Sequence, residues 1–140
     1  MFLLLFLVLV FSVFLGHNIT MVKETDKAIL MDMAINELFK HIGEDYRQRS
    51  IRSDYHDPER VNEFIDSLYV EEGRKYLKVI KKLGNQEMVW GFVMKEDDKK
   101  FRAGDILKAA SWSAPARNKA RGNILDNDFS WVRWTGPEYL

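Results

Sequence analysis

No cysteine occurs in the 140 residues. Disulfide frameworks, thiolate nucleophiles and cysteine metal sites are therefore excluded. Compartment stays open, because many secreted proteins also lack cysteine. The chain holds three prolines and three histidines, and no two histidines stand at the spacing of ligands on one helix. No P-loop, GxSxG, HExxH or GxGxxG motif is present. A catalytic constellation is missing at sequence level, and the chain is read as a non-enzyme that needs no cofactor and no metal. Carboxylate pairs such as Asp97–Asp98 and Asp126–Asp128 fall in turn-forming stretches. There aspartate is favoured for its local backbone hydrogen bonds. No small-molecule substrate is indicated.

The charges cancel to a formal net of +0, which hides a division along the chain. Met21–Gly73 carries seven Lys/Arg against thirteen Asp/Glu, and Arg74–Leu140 fourteen against eight. Such a split serves either an anionic partner or the mutual attraction of two halves. One domain is expected at this length, with enough apolar residues for a core.

Charge is also missing from the start. Residues 1–16, MFLLLFLVLVFSVFLG, are apolar except for Ser12. As a helix they span about 24 Å, against about 30 Å for a hydrocarbon core. There is no basic n-region and no small-x-small cleavage site, so a cleaved signal peptide fits poorly. The reading is an N-terminal apolar helix, residues 1–20, acting as a membrane anchor. The alternative is that Met1 is a misassigned start and that Met21 opens a cytoplasmic protein. The single α+β domain then occupies 21–140.

Thr25 or Asp26 offers an N-cap for a helix over about 26–43, with Ile35, Leu38, Phe39, Ile42 and Tyr46 forming one stripe. Gly43 is its expected end. Asp57 before Pro58 opens a second helix, about 57–72, with Val61, Phe64, Ile65 and Leu68 inward. Asp54, His56, Asp57 and Glu59 can be drawn as a metal cluster, but a turn and a helix cap account for the same residues. The period then changes to two. Strands are expected at about 75–83, 87–95 and 104–109, the first pair joined by Gly84–Asn85. Met88, Trp90, Phe92 and Met94 share a face that can meet the helices. The fold class is α+β: two amphipathic helices on a three-stranded antiparallel meander.

One further absence concerns function. From Lys108 to Arg121 there are four cations, Lys108, Arg117, Lys119 and Arg121, and no acid. Trp112 lies inside this run and Pro115 stops regular structure near it. Cations beside an indole can bind phosphate and stack on a base. Lys108, Arg117, Lys119, Arg121 and Trp112 are therefore the candidate nucleic-acid or polyanion contacts. Against this, Trp112 can plug the core; it is expected at least half buried, locking Ser111–Ala116. The aromatic tail after Ile124 either folds back on the sheet or docks a protein partner.

The second half also carries a resemblance. Phe92–Val93, Gly104–Lys108, Ala110–Ala116 (ASWSAPA) and Ala120–Ile124 (ARGNI) fit a pattern similar to that of small uncharacterised proteins of tailed bacteriophages. The resemblance implies an accessory, non-enzymatic viral protein. It brings no activity and no catalytic residues. The rival expectation is a membrane-tethered protein–protein interaction module.

Overall fold

The structure, a computed structural model, describes residues 2–140, and within the first helix its described side chains begin at Gly16 and Ile19. That helix, α1, spans Phe2–Arg52. The chain divides into two compact units, Met1–Met33 and Ala34–Leu140.

In the first unit every described side chain from Gly16 to Met33 is exposed except Met31, which is half-buried. The anchor expectation is corrected here. Among the described residues, no helix is long and apolar enough to cross a membrane. The helix carries Lys23, Glu24, Asp26, Lys27 and Asp32 directly after the apolar run, so it cannot be lengthened into a span past Val22. Membrane association through this segment is accordingly not supported. The side chains of residues 1–15, and with them the choice of Met1 as start, lie outside those described.

The second unit is an α+β fold, as expected. Its part of α1 buries Ala34, Ile35, Leu38 and Ile42. The helix does not stop at Gly43. A Cβ there would lie 2.8 Å from Cγ1 of Ile65, so Gly43 allows the close approach of the second helix, α2 (Pro58–Ser67). The Asp57 cap forms as read: its side chain accepts from Glu59 N at 3.0 Å, with Pro58 opening the helix. Val61 and Phe64 point inward. α2 ends five residues earlier than expected, because Tyr69–Glu72 pairs as a strand, β1.

The sheet has five strands in the order β1-β2-β3-β4-β5, all neighbours antiparallel. β2 is Tyr76–Leu83, β3 Gln86–Met94, β4 Asp105–Leu107 and β5 Gly122–Asn123. Gly84, with φ +60°, supplies the left-handed position of the two-residue β2–β3 turn. The three expected strands are present, with one added at each edge. β1 is held by register with β2, and Glu71 opposite Lys78 forms an ion pair at 3.4 Å. β5 needs Gly122, where a Cβ would fall 2.2 Å from the Trp131 ring.

Both sheet faces are covered, which the meander reading missed. A register shift at Val79/Ile80 leaves Trp90 without a cross-strand partner, as in a β-bulge. Its indole donates to Arg133 O at 2.8 Å. Phe92 and Met94 instead cluster with Phe101 and Leu107, under Tyr76, Ala109 and Ala120. So the expected apolar face of β3 is split: Trp90 holds the tail, and Phe92 and Met94 lie beneath the loop after β4. The tail folds back as a short hairpin of β6 (Val132–Arg133) and β7 (Gly136–Pro137). Asp45 of α1 accepts its Trp134 N–H at 2.7 Å.

Candidate functional site

The loop that follows β4 is locked by its own backbone. Ala110 N and Ser111 N donate to Ala114 O at 3.0 and 3.1 Å, and Ala116 N donates to Lys108 O at 2.7 Å. Ser111 Oγ accepts from Ser113 N and Ala114 N, an arrangement typical of serine-initiated turns. Trp112 is carried on this turn. It is exposed, at 46%, and contrary to the expectation it neither plugs the core nor makes the lock. The Lys78 ammonium lies 4.8 Å from its ring centroid, within cation–π range.

The four expected cations do not form one patch. Lys108 donates to Pro137 O at 3.0 Å and sits 3.7 Å from the Tyr139 ring centroid. Burial, and secondarily the charge of Arg121, lowers its pKa. Arg121 donates to Glu138 O at 2.9 Å. These two cations hold the C-terminal tail. The sequence could not show this, because backbone carbonyls carry no formal charge.

Arg117 takes a different place. It donates to Tyr76 Oη at 2.5 Å and to Asp98 Oδ2 at 2.6 Å, with Phe101 4.8 Å from its guanidinium carbon. Asp98 is a hub. It accepts from Phe101 N and Lys100 N at 2.8 Å each, and Lys75 stands 3.3 Å away. The backbone donors first, then Arg117 and Lys75, hold its carboxyl well below the usual range. Lys100 Nζ in turn donates to Arg117 O, and Lys95 Nζ reaches Glu72 and Gly73 O. Three loops are thereby joined: the β1–β2 turn, the β3–β4 loop and the segment around Arg117.

The result is a rim of mixed charge around an open depression lined by Arg74, Lys75, Lys95, Glu96, Asp97 and Asp98. Arg74 lies on this rim; Lys99, next to Asp98 in sequence, and Lys119, two residues after Arg117, are exposed like it, and among the described residues none of the three has an ion-pair partner. Tyr76 and Lys78 are two residues apart on β2 and so share a face, about 7 Å apart. Arg117 stands on the first and Trp112 on the second. Of the five expected contacts, Arg117 and Trp112 are brought to one face of β2, Lys108 and Arg121 hold the tail, and Lys119, whose carbonyl accepts from Arg121 Nε at 3.2 Å, is exposed beside Arg121. Arg74, Lys99 and Lys78 were missed. Only Lys78 had left a signal, as a charge within the period-two strand Lys75–Leu83.

The stretch around Asp57 is used structurally. Asp57 caps α2, and His56 Nδ1 is 2.8 Å from Ser50 Oγ. Among the described residues no group of three or more His, Cys, Asp or Glu could hold a metal ion.

A model of one protein family matches residues 15–139, nearly the whole chain, and describes a family of unknown function, DUF7717. The chain belongs to that family. The DUF7717 match includes both the rim and the Trp112 turn, and it names no ligand, host or activity. No curated protein and no solved structure matches the chain.

Proposed function

We propose that this DUF7717 protein is a non-enzymatic binding module that takes up single-stranded nucleic acid across its loop face. In this reading a base stacks on the open side of Trp112, and phosphates meet Arg74, Lys99 and Lys119. The observation that carries it is the alignment on β2. An exposed indole backed by Lys78 stands on the same strand face as an arginine hub, with the exposed cations Arg74, Lys99 and Lys119 in the segments that the hub joins. An exposed indole on a self-bonded turn costs little entropy to use, and base–aromatic stacking contributes about 1–3 kcal/mol. Arg117 and Lys75, already paired with Asp98, position the rim and are not phosphate contacts.

Labelled single- and double-stranded oligonucleotides are the probes, titrated with the full chain at about 50 and 200 mM salt. Three phosphate contacts imply a log–log salt slope of about −2 on a single strand. Neutralising Arg74, Lys99 and Lys119 together to glutamine should flatten that slope. Trp112→Ala should weaken single-strand binding about tenfold while lowering stability by only about 1–2 kcal/mol, since the turn keeps its own hydrogen bonds. No binding at the lower salt, or binding indifferent to both variants, refutes the proposal.

A further inference from the structure

A second surface, in the Met1–Met33 unit, has no place in the reading above and is independent of it. Ile19, Val22, Ile29, Leu30 and Met33 are each between 50% and 60% exposed. At 3.6 residues per turn they fall within an arc of about 100° on α1. The opposite side of the same stretch carries Met21, itself exposed, with Glu24, Ala28 and Met31. Scattered exposed apolar residues need no explanation, but five on one stripe of fifteen residues do.

The spacing identifies the kind of surface that fits. Positions 19, 22, 26, 29 and 33 alternate steps of three and four, the seam of a left-handed helix pair. Four of the five are apolar, and the fifth is Asp26. A parallel pairing would set the two Asp26 carboxylates against each other, which like charge disfavours. Antiparallel pairing removes that conflict. With Asp26 opposite the partner's Val22, Ile19 faces the partner's Ile29. Lys23, which flanks the seam on the Asp26 side, then stands beside the partner's Asp26. Two-fold symmetry makes the pair twice, once in each direction. A foreign helix has no reason to supply both halves of that match, whereas a second copy supplies them automatically.

We propose that Ile19–Met33 is a self-association surface, closed by a second copy of the chain packed antiparallel, with reciprocal Lys23–Asp26 pairs across the seam. The overlap is short, so association in the range of about 1–100 μM is expected.

Sedimentation equilibrium of the full chain across that range tests this, with far-UV circular dichroism to confirm that each variant stays folded. Ile29→Glu should leave a monomer. Lys23→Glu and Asp26→Lys, each alone, place like charges side by side and should weaken association about tenfold or more. The double reversal, Lys23→Glu with Asp26→Lys, rebuilds the pairs with opposite polarity and should recover most of the loss. A monomeric parent chain overturns the proposal. So does association that survives Ile29→Glu, or a double reversal no tighter than either single one.

Discussion

Lys81 is 4% exposed, and its Nζ lies 3.1 Å from Trp134 O and 2.8 Å from Thr135 O, with the Trp134 ring centroid 5.1 Å away. Burial, helped by the charge of Lys108, pushes this ammonium from 10.5 down to about 8. Below pH 8 both folded and unfolded chains hold the proton, and burying the charge is a standing cost. Between about 8 and 10.5 the folded chain has released a proton that the unfolded chain still binds. Stability must therefore rise with pH across that window. The difference of about 2.5 pH units corresponds to roughly 3 kcal/mol. Lys81→Met keeps the aliphatic stem and removes the titration. Urea unfolding of both proteins at pH 7.5, 9 and 10.5 isolates the effect, because the other lysines and tyrosines are common to the two and only Lys108 is coupled to Lys81. At pH 7.5 the variant loses a buried charge but leaves two carbonyls short of a donor. These terms oppose each other, so the two proteins should lie within about 2 kcal/mol. By pH 10.5 the balance should have moved roughly 2–3 kcal/mol towards the parent chain. Parallel stability curves would show that the ammonium is solvated, and the argument for a buried cation clamp would fail.

Gly122→Ala drives a methyl into the Trp131 ring, 2.2 Å from its nearest atoms. It should cost roughly 2–4 kcal/mol, read as a lowered urea midpoint, and a neutral outcome would mean that the tail does not lie over β5. Asp98 has a depressed folded pKa, from its backbone donors first and Arg117 next. Its contribution is present above the ordinary carboxylate range and is lost as pH falls through the folded value. Asp98→Asn should therefore be less stable than the parent at pH 7, with the gap narrowing in acid. A gap that does not change between pH 7 and pH 2 would refute the hub.

What was legible in the sequence was what local chemistry decides. Asp57–Pro58 opens a helix because a carboxylate and a proline are both suited to its first turn. Gly84–Asn85 turns the hairpin because a left-handed position is needed there. Gly43 was misread because its purpose is tertiary: the missing Cβ admits Ile65 of α2. Tyr69–Glu72 was misread as helix because its partner, β2, lies beyond the next turn. The acid-free run from Lys108 to Arg121 raises the deeper issue. A charge count treats four cations without acids as a free positive face. Yet the tail from Asp126 onward has only the two-residue strands β6 and β7, and its buried carbonyls must find donors. Lys81 serves Trp134 and Thr135, Lys108 serves Pro137, and Arg121 serves Glu138. Much of the positive excess in the second half is thus answered by backbone dipoles and not by carboxylates. A basic run followed by an aromatic tail poor in strand pairing is therefore ambiguous between anion site and backbone clamp. In this chain the two uses divide residue by residue: Lys108 and Arg121 hold the tail, and Lys119, exposed and without an ion-pair partner among the described residues, does not.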